Sequence, residues 1–129
     1  MAVVPVHGFA ANVYSCGPES TVSLFQIWGT NDPWVRADGA ASDDGMQYDG
    51  ADEAAAEWAI AQGCDAAPTH YQTRADGIQS WSCTSHANCS TGAEIVSCSW
   101  AGRHIWPVSK QAGNFGLNAI WDFISTKQK

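Results

Sequence analysis

An apolar run at residues 21–28, TVSLFQIW, limits the possible folds of this chain more than any other feature. Because the run is nearly continuous in apolar residues, a strand formed here would be buried on both faces, as strands of helix-covered parallel sheets are. The run ends at GTND, which is typical of a buried strand that leads into a functional loop. We therefore expect a mostly parallel sheet with helices packed against it.

Further strands are predicted on both sides of this run. AVVPV (2–6) is a short β-branched segment in which Pro5 favours an edge position. AEIVSCSWA (93–101) predicts another strand. Between them, THYQTR and IQSWSCT predict a β-hairpin, since the ADG segment (75–77) that joins them supports a tight turn.

Two segments have the pattern of helices. DEAAAEWAIAQGC (52–64) is rich in alanine, with Asp52 as its predicted N-cap and Gly63 as its stop. The second helix is predicted to begin after Asn114 and to turn an apolar stripe towards the core, formed by Leu117, Ile120, Trp121 and Ile124. Trp58 is likewise expected in the core. Strands that alternate with helices predict an α/β fold.

The size and charge of the chain exclude several classes of function. With 129 residues, 45% of them hydrophobic and 15% charged, the chain is expected to fold as one domain over residues 1–129. A net charge of −7 would repel phosphate backbones, which argues against a nucleic-acid partner. No apolar run is long enough to span a membrane, and the first residues lack the pattern of a signal peptide, so no membrane partner is predicted.

The cysteines favour an oxidising compartment. Five of them in so short a chain are more typical of a disulfide framework in a secreted protein than of a cytosolic one. The alternative is a zinc site, because thiolates and an imidazole lie close in sequence at Cys83, His86, Cys89 and Cys98. Their spacing matches no common zinc module, and disulfides explain the cysteines more simply. We predict no metal and no cofactor.

The carboxylate of Asp32 and the imidazole of His104 could form a catalytic acid–base pair. Asp32 follows the strand at 21–28, and His104 follows the strand at 93–101. A carboxylate can fix the tautomer of an imidazole and stabilise its protonated form, as a general base that serves a serine requires. The alternatives are a turn-capping aspartate at Asp32 and a partly buried histidine bonded to backbone at His104.

Four short motifs, in order, cover most of the chain: WGTNDPWV (28–35), WAIAQGC (58–64), AGRHIWP (101–107) and IWDF (120–123). In these motifs the chain resembles the C-terminal half of the secreted α/β-hydrolase esterases typified by polyhydroxybutyrate depolymerases and feruloyl esterases. The resemblance implies a partial α/β-hydrolase fold, with about three core strands of a mostly parallel sheet, two main helices and a β-hairpin excursion. It also implies disulfides Cys64–Cys89 and Cys83–Cys98, which leaves Cys16 over.

The resemblance assigns roles to the polar pair. Asp32 would be the acid and His104 the base of a Ser-His-Asp triad, although Arg103 stands where the family usually has glycine. The nucleophile motif G-x-S-x-G is absent from the sequence. In this family the serine precedes the acid and the base along the chain, so we expect it upstream of Met1, in which case the chain would be a fragment. The alternative is a short protein that has replaced or lost the nucleophile. Within the chain, Ser20 is the nucleophile candidate, ahead of Ser15 and Ser109.

The expected function is that of a carboxylic ester hydrolase, acting on polyester or on feruloyl and other aromatic esters. Trp34 and Trp106 each lie two residues after a triad-like residue and are expected either to contact the acyl group or to pack in the core. The competing hypothesis is a non-catalytic, disulfide-stabilised binding module that uses its tryptophans. We also expect self-association, either through the edge of residues 2–6 or through an uncovered sheet face.

Overall fold

A five-stranded sheet with a helix on each face forms the protein in a computed structural model, which describes residues 1–7, 21–43, 45–75, 80–106 and 115–127. The elements, in chain order, are β1 (Ala2–Val3), β2 (Ser23–Gly29), α1 (Ala51–Ala61), β3 (Thr69–Ala75), β4 (Ser80–His86), β5 (Ile95–Trp100) and α2 (Phe115–Ser125). The α/β class and the two helices are confirmed within these ranges. Neither helix is long and apolar enough to cross a membrane.

The sheet is mixed, and the prediction of a mostly parallel sheet is wrong. Its order is β1-β2-β5-β4-β3, in which the pairings β1–β2 and β2–β5 are parallel, while β5–β4 and β4–β3 are antiparallel. The hairpin is therefore no excursion, because β4 extends the sheet beyond β5. Directly opposed side chains join these two strands, with Trp81 facing Trp100 and Cys83 facing Cys98.

Strand β2 is the buried strand that its apolar run predicts, and it lies between β1 and β5. Leu24 belongs to the apolar cluster beneath α1, whereas Phe25 and Ile27 belong to the cluster beneath α2. This alternation puts successive side chains on opposite faces. The strand begins at Ser23 rather than at residue 21.

One polar side chain lies deep in the face beneath α1. The amide nitrogen of Gln26 donates to the carbonyl of Ala51 at 2.7 Å and to the hydroxyl of Ser97 at 2.8 Å. The same hydroxyl accepts a hydrogen bond from the indole of Trp28 at 3.0 Å. Because these donors have partners, the buried amide costs little, and it links β2, β5 and the first residue of α1.

Helix α1 buries a stripe of alanines at four-residue spacing, Ala51, Ala55 and Ala59. Trp58 is half-buried and donates from its indole to the carbonyl of Val22 at 3.0 Å. The predicted N-cap is wrong by two positions: Gly50 holds it, and Asp52 lies in the first turn, where its charge suits the helix dipole. The predicted stop at Gly63 is confirmed, since this glycine has a φ of 64°.

Helix α2 presents a different stripe from the predicted one. Phe123 is buried, and its ring lies 5.1 Å from that of Phe25 in β2. Ile120 and Ile124 pack beside it, but Trp121 is 65% exposed and does not lie in the core. Because Trp121 and Phe123 are about 200° apart around a helix, burial of one exposes the other. Leu117 is also exposed.

Strand β1 is shorter than predicted, with two residues in the ladder. The chain nevertheless stays beside β2 past Pro5, because Ile27 donates to the carbonyl of Pro5 at 3.1 Å and His7 donates to the carbonyl of Ile27 at 3.0 Å. A single bridge pairs Val6 with Ile27. Proline has no N–H to offer, which explains the interruption.

Both predicted disulfides, Cys64–Cys89 and Cys83–Cys98, are confirmed. The zinc alternative is therefore wrong, because its thiols are bonded to sulfur, while His86 hydrogen-bonds the carbonyl of Asp65. Several predictions lie outside the described residues: those for Cys16, for the turn at Asp76 and Gly77, and for Asn114.

Candidate active site

The polar side chains of interest lie where the three parallel strands end. Asp32 follows β2, His104 follows β5, and His7 follows the bridge that continues β1. In open α/β sheets, the carboxyl ends of parallel strands open onto the crevice where ligands bind. The sheet therefore brings three chain segments, distant in sequence, to one edge.

The loops after β2 and β5 are bonded to each other beyond the strands. Thr30 donates to the carbonyl of Trp100, and Asn31 donates to the carbonyl of Gly102, both at 2.9 Å. Two glycines make this approach possible. A Cβ on Gly29 would lie 2.5 Å from the Gly102 carbonyl oxygen, and one on Gly102 would overlap the Trp100 indole. Only residues without a side chain fit at these two positions.

Asp32 uses both of its carboxylate oxygens. Oδ1 accepts hydrogen bonds from the backbone N–H groups of Trp34 and Val35, at 2.9 and 3.0 Å. Oδ2 accepts a hydrogen bond from Nδ1 of His104 at 2.8 Å. The turn-capping alternative and the predicted contact with histidine are thus both present, on different oxygens of one carboxylate.

The Asp32 carboxylate is held in its ionised form although its side chain is only 1% exposed. Burial raises its pKa, because it removes the charge from water. The hydrogen bonds from Val35, His104 and Trp34, with the attraction of His104, act in the other direction, and the net pKa lies below the ordinary value of 3.8. A carboxylate that stays charged can stabilise a neighbouring imidazolium.

His104 combines one fixed nitrogen with one open nitrogen. Nδ1 faces an oxygen that only accepts, so a neutral ring carries its proton on Nδ1 and leaves Nε2 as an acceptor. The side chain is 44% exposed, and no residue in the described ranges hydrogen-bonds Nε2. A tight turn, closed by the N–H of Ile105 on the carbonyl of Arg103 at 2.7 Å, presents the ring. The predicted alternative, a histidine bonded to backbone, does not describe this side chain.

His7 is the residue that the sequence analysis missed. Its Nδ1 lies 3.1 Å from the Asp32 oxygen that His104 contacts, and its Nε2 lies 2.8 Å from the carbonyl oxygen of Ile105. The ring is buried and forms a T-shaped pair with Trp100, with 6.2 Å between the ring centres. The rule that selected Asp32 and His104, a polar residue directly after a predicted strand, also selects His7 after AVVPV.

The two predicted substrate-contacting tryptophans are exposed. Trp34 is 49% exposed and Trp106 is 37% exposed, so the alternative of core packing is wrong for both. Their backbones lie next to the site, since the N–H of Trp34 donates a hydrogen bond to Oδ1 of Asp32 and Trp106 lies two residues after His104. Contact with a substrate stays a prediction. The nucleophile candidate Ser20 lies outside the described residues, as do Ser15 and Ser109.

The arrangement can move a proton. Asp32 holds His104 in one tautomer, and Nε2 is open to accept a proton from a hydroxyl and to return it to a leaving group.

Comparisons of this chain with protein-family models, curated proteins and solved structures find no match.

Proposed function

We propose that this chain supplies the acid and base of a carboxylic ester hydrolase of the serine-esterase type. The observation that carries the proposal is the 2.8 Å contact between Nδ1 of His104 and the buried carboxylate of Asp32, with Nε2 turned away from it. This is the orientation that a base needs if it is to serve a nucleophile on its far side. The four motifs shared with polyhydroxybutyrate depolymerases and feruloyl esterases point to the same chemistry.

The fold supports the proposal through its parallel half. Strands β1, β2 and β5 lie side by side in parallel, and the acid and base follow β2 and β5 at the same edge. A partial α/β-hydrolase fold would place an acid and a base in this way. We therefore propose that residues 1–129 correspond to the C-terminal part of such a hydrolase.

The proposed reaction is acyl transfer. Nε2 of His104 takes the proton of a serine hydroxyl as the serine oxygen attacks the ester carbonyl, and Asp32 stabilises the imidazolium. The imidazolium then protonates the leaving alcohol, and the acyl group stays on the serine. Water, activated by the same nitrogen, releases the acid and restores the serine. Proton transfer by such a base contributes about 10²–10⁴ in rate.

The proposed substrates are esters with a large apolar or aromatic acyl group, such as polyesters or feruloyl esters. Trp34 and Trp106 support this choice, because exposed indoles beside a proton-transfer site offer flat apolar surface to such a group. The proposed location is outside the cell. Two disulfides persist most readily in an oxidising compartment, which supports secretion.

Hydrolysis of p-nitrophenyl butyrate tests the proposal. We expect His104→Ala to abolish the enzymatic rate and Asp32→Asn to lower it by about 10²–10⁴, because the wrong tautomer is then favoured. A free imidazole can attack activated esters by itself, so His70→Ala is the matched control, since His70 is an exposed histidine on β3 away from the pair. Equal rates in all three variants would reject the proposal.

The nucleophile is found by covalent labelling. A fluorophosphonate ester reacts with serines that a base has activated, and mass spectrometry of the digested protein locates the label. Label on Ser20 in the wild type, and no label in His104→Ala, would identify Ser20 as the nucleophile. Label that persists at Ser20 without His104 would remove it from the proposal.

A second candidate function is a non-catalytic binding module, which the exposed Trp34 and Trp106 favour. Such a module would bind polyester film or aromatic esters without turnover. Trp34→Ala and Trp106→Ala would each weaken binding, whereas His104→Ala would leave it unchanged. Binding that depends on the tryptophans, together with absent hydrolysis, would select this candidate over the esterase.

Self-association is also proposed. Strand β1 lies at the end of the sheet in the described part of the chain and has one neighbour there, β2, so its outer backbone groups are open to a second strand. Size-exclusion chromatography with light scattering measures the mass in solution. A monomer at all concentrations tested would contradict this.

A further inference from the structure

The contacts of His7 require a positive charge between this ring and Asp32. The carbonyl oxygen of Ile105 only accepts hydrogen bonds, so Nε2 of His7 must carry a proton at that 2.8 Å contact. A neutral ring then has a lone pair on Nδ1, directed at a carboxylate oxygen 3.1 Å away. Two lone pairs at this distance repel each other unless a proton or a metal ion lies between them.

We propose that His7, Asp32 and His104 bind a divalent cation of the zinc class, and that the bound ion withdraws His104 from its role as a base. One ligand atom from each of the three residues lies within 4.8 Å of the other two. Oδ2 of Asp32 lies 2.8 and 3.1 Å from the two Nδ1 atoms. A tetrahedral ion with bonds of about 2.0 Å separates its ligands by about 3.3 Å, so small movements suffice.

The surroundings of the three ligands are those of a metal site. A histidine that binds zinc usually donates its other N–H to a carbonyl or carboxylate, as Nε2 of His7 does to Ile105. The second oxygen of Asp32 is held by the N–H groups of Trp34 and Val35. Exposure of His104 leaves an open side for water as a fourth ligand. The net charge of −7 attracts cations to the molecule.

The backbone conformation of His7 also supports the proposed metal site. Its φ of 52° lies in the left-handed region, which a non-glycine residue adopts only at a conformational cost. His104 lies close, with the two ring centres 5.2 Å apart. A strained backbone that turns a buried imidazole towards a carboxylate and a second imidazole has a clear use if the three bind one ion.

Metal binding would change which nitrogen of His104 carries the proton of the neutral ring, and this affects the proposed esterase. When Nδ1 of His104 binds the metal, the proton of the neutral ring moves to Nε2, and the proton between His7 and Asp32 is released to solvent. Nε2 then donates and has no lone pair for a serine hydroxyl. The ion would therefore act as a reversible inhibitor. This effect on catalysis rests on the proposed function, whereas the binding site itself does not.

Calorimetric titration with zinc chloride tests the site without reference to activity. We expect one zinc per wild-type chain, an affinity lowered about 100-fold or more in His7→Gln, and an unchanged affinity in His70→Gln, which controls for surface histidines. Cobalt(II) should give the visible absorption of a tetrahedral ion with the wild type and not with His7→Gln. Circular dichroism checks that each variant is folded.

Two results would overturn the inference: no zinc binding by the wild type, or equal binding by His7→Gln. Should His7→Gln fail to fold, His104→Gln decides, since the His104 side chain is nearly half exposed; equal zinc affinity in that variant would also overturn the inference. The ester assay is then repeated on the wild type with and without zinc. Zinc binding without ester hydrolysis would reject the esterase alone, whereas hydrolysis without zinc binding would reject the metal site alone.

Discussion

The two halves of the sheet are held together in different ways. The half formed by β5, β4 and β3 is antiparallel, and a disulfide between opposed residues, Cys83–Cys98, fixes β4 to β5. The half formed by β1, β2 and β5 is parallel, and no disulfide among its described residues joins one of these three strands to another. Its loops meet through backbone hydrogen bonds and two glycines instead. The covalent link between strands thus lies in the first half, and the polar cluster lies at the end of the second.

Removal of the disulfide in the antiparallel half should give the largest loss of stability. The cysteines are 15 residues apart, and a loop of this length corresponds to about 3 kcal/mol in the free energy of unfolding. The variant Cys83→Ala with Cys98→Ala is compared with the wild type by urea unfolding. While the protein is folded, the NMR signals of His7 and His104 should stay unchanged, because the disulfide does not support the site. Altered histidine signals in the folded variant would break the comparison between the two halves.

Gly29→Ala should do the reverse and disturb the site more than the fold. Its Cβ would lie 2.5 Å from the Gly102 carbonyl oxygen, so the two loops must separate, at a cost of about 1–3 kcal/mol. We expect an altered His104 signal in NMR. Gly50→Ala is the matched control, because the added Cβ meets the flexible end of Glu53 at 3.2 Å. An unchanged His104 signal in Gly29→Ala would show that the close approach does not position this residue.

The smallest effect is expected at an exposed ion pair in the chain that follows the site. The pKa of Asp38 is lowered to about 2, first by the hydrogen bond from the Arg36 guanidinium and then by the hydrogen bond from the N–H of Ala40. A depressed pKa contributes stability above the unfolded value of 3.8, and this contribution is lost as the pH falls towards 2. Exposure makes the contribution small. Arg36→Gln should raise the pKa of Asp38 in an NMR titration, and an unchanged pKa would rule out the pairing in solution.

The sequence pattern predicted a helix or strand correctly where the residues of that element alone determine its secondary structure. The apolar run of β2, the alanine helix α1 and its stop at Gly63 all follow from neighbouring residues. The neighbourhood of Asp32 and His104 was predictable because both follow strands that end at one edge. The disulfide pairings were implied by the resemblance to the esterases, since spacing alone leaves several pairings open.

Long-range choices were not predictable in the same way. The position of the hairpin depends on which strand β4 joins, and the turn sequence carries no information about that partner. The buried stripe of α2 depends on Phe123 meeting Phe25, so the periodicity of the helix alone favoured Trp121 wrongly. The position of His7 after AVVPV is a local signal, but its contacts with Asp32 and Ile105, which lie 25 and 98 residues away along the chain, are not.

The buried amide of Gln26 has a consequence for the geometry of the Asp32–His104 pair. It finds its partners only when Gln26 faces Ser97 across β2 and β5. A slip of β2 by one residue would turn the amide to the opposite face and leave it without them. The same slip would shift the carboxylate at position 32 by about 3.3 Å relative to its imidazole partner, further than a hydrogen bond tolerates. The Gln26 amide, six residues before Asp32, thus favours the strand register in which Asp32 meets His104.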